Sequence, residues 1–114
     1  MKTVPTIATV LGLSMFCGAA SADYQSGVIT GYLTHKSAST PVLIVKVDTG
    51  TATGCNTTSR FAMAADDPRY QGTLAAVIAA YHTQATVKVA FTQTCTAWSN
   101  SFDMTYMCVG DIPC

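Results

Sequence analysis

One stretch near the middle of the chain is the only segment with helical periodicity. Within residues 66–82, Leu74, Val77, Ile78 and Tyr81 recur at the spacing that forms one apolar face. The segments on both sides alternate apolar and polar residues with a period of two, as β-strands do. A single helix inserted late among strands therefore constrains the chain to a mainly β fold.

The start of this helix has its own sequence signals. Asp67 is suited to accept hydrogen bonds from the first free amides, and Pro68 fits the first helical position, where no donor is needed. Asp66 and Asp67 also lie where the helix dipole favours negative charge. These signals predict a helix from residue 66 to residue 82. Gly72 weakens it by about 1 kcal/mol relative to alanine.

Five other segments have the pattern of strands. Three strands, a helix and two further strands follow one another, which is the order of a five-stranded Greek-key barrel of the oligonucleotide/oligosaccharide-binding (OB) type. In that barrel the helix lies between the third and fourth strands. An open α+β sheet is the alternative. The predicted strands are residues 28–35, 42–48, 57–64, 85–92 and 102–109.

The first 22 residues have the features of a secretory signal peptide. Lys2 provides a positive start, residues 4–20 are mostly apolar, and residues 20–22 (Ala-Ser-Ala) form a cleavage site of small residues. The apolar run is too short for a membrane span. We therefore expect cleavage after Ala22 and a secreted or periplasmic bacterial product in which residues 23–114 form a single domain.

The cysteines indicate disulfides. Loss of Cys17 with the signal peptide leaves Cys55, Cys95, Cys108 and Cys114, an even number in an oxidising compartment. This predicts two disulfides and no free thiol. Four cysteines allow three pairings; we favour Cys55–Cys95 with Cys108–Cys114, because the latter closes a very short loop. The spacing does not support a zinc site, and we expect neither metal nor cofactor.

The charged residues limit the possible functions. Six basic and six acidic residues give a net charge of zero, and no basic stripe suggests nucleic acid as a partner. His82 is expected at the helix end, where it can interact with the last carbonyls, and His35 in a solvated turn. Asp103 stands alone on a strand. Because no nucleophile, base or carboxylate pair can be assembled, we expect no catalysis.

Two aromatic residues are candidates for contact with a sugar. Tyr24 lies in a polar stretch, residues 23–26, with no apolar periodicity to bury it, so it can offer its ring to a sugar or belong to a frayed terminus. Trp98, near Cys95, can stack on a sugar or shield a disulfide. A neutral surface rich in Thr, Ser, Ala and Tyr suits an uncharged partner such as a carbohydrate.

Several short stretches spread over most of residues 23–114 match a known family. They are Tyr24 with Val28-Ile29, Thr40-Pro41 with Ile44-Val45-Lys46, Cys55, Tyr81-x-Thr83 with Val87-Lys88-Val89, and Cys108 with Cys114. In these stretches the chain resembles the B subunits of the subtilase cytotoxin and of the pertussis-like typhoid toxin. That resemblance implies an exported barrel that assembles as a homopentamer, binds sialylated host-cell glycans and delivers a separate toxin A subunit. The alternative is a stand-alone periplasmic or secreted binding or inhibitor protein.

The resemblance also implies a glycan site. The family uses a Tyr-Ser pair before the first strand and a lysine on the second strand. Tyr24 and Lys46 match in position, whereas Gln25 stands where the family has serine and Ser26 follows one residue later. The implied glycan-binding residues are therefore Tyr24, Gln25, Ser26 and Lys46.

Overall fold

The structure is a computed structural model that describes residues 23–114 together with Thr3, so the predicted signal peptide otherwise lies outside the described residues. Residues 23–114 contain five strands and a single helix, which confirms the mainly β prediction and the order of the elements. The strands are β1 (Asp23–Ser37), β2 (Thr40–Val47), β3 (Arg60–Ala64), β4 (Thr86–Thr92) and β5 (Phe102–Val109), and the helix α1 is Tyr70–Thr83.

All five strands belong to one sheet, in the order β1-β2-β3-β5-β4. The sheet closes on itself because β1 changes partner along its length: residues 23–28 pair with β4, and residues 29–37 pair with β2. Every neighbouring pair is antiparallel except β3 and β5, which are parallel. The pairing of β3 with β5 contains only two residue pairs, Phe61 with Phe102 and Ala62 with Asp103.

The partner change in β1 takes place beside Gly27. A Cβ atom at Gly27 would collide with side-chain atoms of Asp48 and Val47, so the strands approach this closely only because the residue is glycine. Asp48 forms two hydrogen bonds with Val28, the residue at which β1 changes partner. Its carboxylate accepts the Val28 N–H at 2.9 Å, and its own N–H donates to the Val28 carbonyl at 3.0 Å. The strand predicted to begin at Val28 thus begins at Asp23, and Tyr24 is not part of a frayed terminus.

The helix begins later than predicted, at Tyr70 rather than Asp66. The Asp67 carboxylate accepts the N–H of Arg69 at 2.8 Å, and the Asp67 carbonyl accepts the N–H of Tyr70 at 3.0 Å. Pro68 occupies the second position of this turn, which its fixed φ favours. Arg69, at the N-cap, makes no side-chain capping bond. The predicted cap was therefore wrong, because Asp67 stabilises a turn that precedes the helix.

The face that α1 turns towards the sheet differs from the predicted one. Val77 is buried as expected, and Leu74 and Tyr81 are partly buried against the core, but Ile78 is 38% exposed. The buried face of α1 also includes a polar and a small side chain, and a search for recurring large apolar residues does not find these positions. The buried members of this face are Tyr70, Thr73, Val77 and Ala80.

The main core fills the inside of the closed sheet. It consists of alternate residues of the strands together with the buried side of α1. Phe91 stacks on Phe102 at a ring distance of 5.4 Å and contacts Phe61 at 5.0 Å, which links three strands across the interior. The strand residues of this core are Ile29, Leu43, Val45, Val47, Phe61, Met63, Val87, Val89, Phe91, Phe102 and Met104.

A second, small cluster lies on the outer face of the sheet. Val42, Ile44 and Ala62 are buried there beneath Ala97 and Trp98, which belong to the connection between β4 and β5. The disulfide between Cys55 and Cys95 ties the same connection to the segment before β3. Trp98 therefore serves as a partly buried cover over apolar side chains.

Asp103 holds the β4–β5 connection in place. Its carboxylate accepts the N–H groups of Thr96 and Ala97 and the hydroxyls of Thr94 and Thr96. Burial raises the pKa of Asp103, but these hydrogen bonds stabilise the anion more strongly, and its pKa lies below the ordinary value of 3.8.

The second disulfide joins Cys108 to Cys114, so the cysteines pair as favoured from the sequence. It fastens the C-terminal residues to the end of β5. In the described part of the chain, no helix has the length and apolar character needed to cross a membrane.

Candidate functional site

The outer face of the sheet carries two tyrosines in one row across three strands. Tyr24 on β1 pairs with Ala90 on β4, and Ala90 pairs with Tyr106 on β5. The two tyrosine hydroxyls are 2.7 Å apart, and the rings meet edge to face with centroids 6.3 Å apart. Ala90 between them is fully buried, whereas Tyr24 is 43% exposed. The sheet thus presents an ordered aromatic surface to solvent.

A lysine completes this surface. Lys88 pairs with Ser26 in the next row, and its Nζ lies 4.8 Å from the centroid of the Tyr24 ring. This distance permits a cation–π interaction, which keeps the ammonium beside the tyrosine. We refer to Tyr24, Ser26, Lys88 and Tyr106 as the Tyr24 surface.

The hydroxyl pair changes the acidity of one tyrosine. The hydrogen bond to Tyr24, followed by partial desolvation and the charge of Tyr24, raises the pKa of Tyr106 above its ordinary value of 10.0. Either of the two hydroxyls can be the donor in this hydrogen bond. One donates to the other, and the remaining O–H can donate to a ligand.

A cavity of about 320 Å³ adjoins the Tyr24 surface. It lies between β4, the end of β5 and the C-terminal disulfide, and Ser26 and Lys88 form part of its wall. Its remaining lining is mostly apolar and includes Val109 and Ile112. An aromatic ring, an ammonium and a shallow apolar cavity are therefore contiguous.

Gln25 and Ser26 hold the edge of this surface against the turn after β2. The Gln25 side-chain amide donates to the Thr49 hydroxyl at 3.1 Å, and that hydroxyl donates to the Ser26 carbonyl at 2.6 Å. The Ser26 side chain is exposed. Through Thr49, the Gln25 side chain thus holds the backbone of β1 in place, whereas the Ser26 hydroxyl is accessible to solvent.

Lys46 lies apart from the other three residues of the predicted glycan site. It pairs with Gly31 and Arg60, and about 20 Å of extended strand separates Gly31 from Tyr24 on β1. Lys46 borders a different groove, of about 250 Å³, together with Arg60, Leu33 and neighbouring residues. The structure therefore brings Tyr24, Gln25 and Ser26 together but does not bring Lys46 to them.

Lys88 and Tyr106 are the members of the surface that the sequence prediction missed. Alternation in residues 85–92 directs Lys88 outward, and Tyr106 lies on the outer side of the last strand. Neither pattern shows that both residues neighbour Tyr24, because that depends on which strands pair and in what register. The charge of Lys88 was the available signal, since it is the sole charged residue of β4.

The remaining sequence candidates have structural roles. The His35 ring contacts the Trp98 ring at a tilt of 52° with centroids 4.6 Å apart, so His35 is not simply solvated. His82 lies in the last turn of α1, as predicted. Within residues 23–114, no cluster of three His, Cys, Asp or Glu side chains has metal-binding geometry.

Comparison of the chain with models of known protein families, with curated proteins and with solved structures finds no match.

Proposed function

We propose that the protein is an exported, non-catalytic glycan-binding protein and that its ligand binds at the Tyr24 surface. The observation that carries this proposal is the contiguity of the exposed Tyr24 ring, the Tyr106 hydroxyl and the Lys88 ammonium next to a cavity. Sugar rings have apolar faces that pack on aromatic side chains and hydroxyls that need hydrogen-bond partners. The Tyr24 surface offers both kinds of contact.

Lys88 makes an acidic glycan the preferred ligand class. Its ammonium forms no salt bridge with the protein, since the one ion pair in residues 23–114 joins Arg69 to Asp67. A sugar carboxylate can form a charge-assisted hydrogen bond with this free cation. Sialylated glycans, which the toxin resemblance implies, carry such a carboxylate. In this arrangement Lys88 has the role that the resemblance implied for Lys46.

For the fold, we propose an OB-type Greek-key barrel. The strand order β1-β2-β3-β5-β4, with α1 between β3 and β4, supports this assignment. The fold alone does not give the function.

For the role in a larger assembly, we propose a homopentameric B subunit that attaches to host-cell glycans and carries a separate A subunit. Light scattering at micromolar concentration should then give roughly five times the subunit mass. A monomer would favour the alternative, a stand-alone binding or inhibitor protein.

A glycan array with the mature protein tests the binding function. We expect binding to sialylated glycans in preference to neutral ones. Tyr24→Ala removes a packing face, and Lys88→Ala removes a charge-assisted hydrogen bond of about 1.5–3 kcal/mol. Each change should weaken binding at least roughly tenfold, which corresponds to about 1.4 kcal/mol. Both variants should retain the melting temperature of the wild type, because the two side chains lie outside the main core.

Two further lysine variants complete the experiment. Lys36→Ala removes an exposed positive charge elsewhere on β1 and should bind like the wild type. Lys46→Ala tests the residue implied by the resemblance. If only Lys46→Ala weakens binding, the glycan occupies the groove beside Arg60 and the Tyr24 surface is not the site. An array without any bound glycan would refute the proposed function itself.

A further inference from the structure

The last residues of the chain form one wall of the cavity beside the Tyr24 surface. Val109 and Ile112 line this cavity together with Lys88. Ile112 is 59% exposed although its side chain is large and apolar. An exposed apolar group in a cavity that adjoins a ligand surface can contact the ligand.

A disulfide ties this wall to the sheet. Residues 110–114 follow β5 and belong to no strand or helix. Among the described residues, the backbone hydrogen bond that this segment makes lies within the segment itself, from the Ile112 N–H to the Gly110 carbonyl at 3.0 Å. The bond between Cys108 and Cys114 therefore holds the wall in position.

The other disulfide is supported at both ends by structure that does not depend on it. Cys95 packs against the main core, and the N–H of the next residue, Thr96, donates to the Asp103 carboxylate at 3.0 Å. Asn56, which follows Cys55, is buried. After reduction, these contacts would still hold the two thiols close together, which favours re-formation of the bond.

The two bridges should therefore respond differently to a reductant. Once Cys108 and Cys114 are reduced, no strand or helix keeps Cys114 near its partner. Because the stability of a disulfide depends on how closely the folded chain holds its two thiols together, the C-terminal bridge should open first.

A lysine favours the opening of this bridge. Lys88 on β4 pairs directly with Cys108 on β5, which places their Cβ atoms roughly 5 Å apart. Both residues also line the cavity. A neighbouring ammonium stabilises a thiolate, so Cys108 is a good leaving group when another thiol attacks the bond.

We propose that the Cys108–Cys114 bridge is a thiol-exchange site and that its reduction by a dithiol releases the cavity wall and weakens binding at the Tyr24 surface. The effect on binding rests on the proposed function, whereas the exchange does not.

The exchange takes place in two steps. A thiolate of the dithiol attacks the Cys114 sulfur; the bond between the two cysteines breaks, a mixed disulfide forms, and Cys108 leaves as the thiolate. The second thiol of the dithiol then attacks the sulfur that the dithiol contributed to the mixed disulfide, and Cys114 is released. The dithiol is oxidised to a disulfide, two electrons reduce the bridge, and the two protons of the dithiol pass through water to the two cysteine sulfurs.

Partial reduction of the folded protein tests the exchange. Mature protein is treated with dithiothreitol without denaturant, free thiols are blocked with iodoacetamide, and mass spectrometry of peptides identifies the blocked cysteines. We expect Cys108 and Cys114 to be blocked while Cys55 and Cys95 remain paired and the circular dichroism stays that of the folded protein. Reduction of the Cys55–Cys95 bridge at the same time or earlier would overturn the proposal.

The rate of blocking tests the role of the lysine. Lys88→Met should slow the reduction roughly threefold, because Cys108 becomes a poorer leaving group. Lys36→Met removes an exposed positive charge from β1 and should react at the rate of the wild type. Equal rates in the two variants would show that Lys88 does not assist the exchange.

Titration with sialyllactose tests the effect on binding. Cys108→Ser with Cys114→Ser should weaken binding roughly fivefold, because the wall is no longer held. Binding by the wild type should fall by the same factor after mild reduction and recover after reoxidation. Ile112→Ala should also weaken binding, whereas Ile78→Ala, which removes an exposed isoleucine of α1, should not.

The results separate this proposal from the proposed function. Unchanged affinity after loss of the bridge, in a wild type that binds sialyllactose, would overturn the role of the wall. A wild type that binds no glycan at all would refute the proposed function and the effect on binding. Blocking of the cysteines uses no glycan, so it still decides whether the C-terminal bridge is the one that exchanges.

Discussion

At the scale of single residues, the hydroxyl pair of Tyr24 and Tyr106 can be followed by titration. The hydrogen bond with Tyr24 is the main cause of the raised pKa of Tyr106. Because the pKa of Tyr106 is higher in the folded protein than in the unfolded chain, the hydrogen bond stabilises the fold at pH values below the ordinary tyrosine pKa. This stabilisation is lost as the pH rises through the pKa of Tyr106 in the folded protein. Tyr24→Phe removes the partner, so the pKa of Tyr106 should fall towards 10.0.

Nuclear magnetic resonance of labelled tyrosine rings measures the pKa of each of the five tyrosines. Tyr32→Phe is the matched control: its ring meets Tyr81 and has no bond to Tyr106, so Tyr106 should titrate as in the wild type. An unchanged Tyr106 in Tyr24→Phe would mean that the hydroxyls do not bond in solution.

The sequence predicts the individual residues of the site better than their grouping. Tyr24 is recognisable because a polar stretch surrounds it, and the structure places it on an outer face. The Lys46 side chain is also exposed, but its neighbour is Arg60 and not Tyr24. The companions of Tyr24 are instead Lys88 and Tyr106, which become neighbours only through pairing of β1, β4 and β5 over long sequence distances. Local patterns do not specify such pairing.

At the scale of elements, α1 contains a position that limits its stability. Gly72 is exposed within the helix, and a Cβ atom there would meet no atom within 4 Å. Gly72→Ala should therefore raise the free energy of unfolding by about 0.5–1 kcal/mol, because alanine loses less backbone entropy in a helix. Chemical denaturation measures the difference.

Gly27→Ala is the contrasting variant. The same added methyl group would there collide with Asp48 and Val47, so the variant should unfold at lower denaturant concentration. Equal effects of the two substitutions would contradict this interpretation of the two glycines.

The element boundaries show where local sequence signals suffice. Period-two alternation locates all five strands, and β5 matches its predicted range at both ends. The start of α1 is missed because Asp and Pro favour a turn as readily as a helix terminus, and the Asp67 carbonyl bonds to Tyr70 in such a turn. The early start of β1 is missed because its first residues owe their conformation to β4.

At the scale of the whole molecule, the two disulfides should contribute unequally to stability. Cys55 and Cys95 are 40 residues apart in sequence, whereas Cys108 and Cys114 are 6 apart. Since a longer loop loses more entropy when it is cross-linked in the unfolded chain, the chain-entropy model gives about 4 kcal/mol for the first bridge and about 2 kcal/mol for the second.

Paired serine substitutions measure this difference. Cys55→Ser with Cys95→Ser should lower the free energy of unfolding more than Cys108→Ser with Cys114→Ser does. The reverse order would show that strain or residual structure in the unfolded chain outweighs loop entropy. Each double variant serves as the control for the other, because both remove one bridge and leave no free thiol.

The Cys55–Cys95 disulfide shortens the loop that the parallel pairing of β3 with β5 must close. Along the backbone, Phe61 and Phe102 are separated by about forty residues. Through the Cys55–Cys95 bridge the path shortens to about a dozen residues, because each cysteine shortly precedes one of the two strands. The entropic cost of closing the loop between β3 and β5 is then lower by about 1 kcal/mol. In the oxidised chain, the pairing of β3 with β5 is therefore a short-range contact, although it joins distant parts of the sequence.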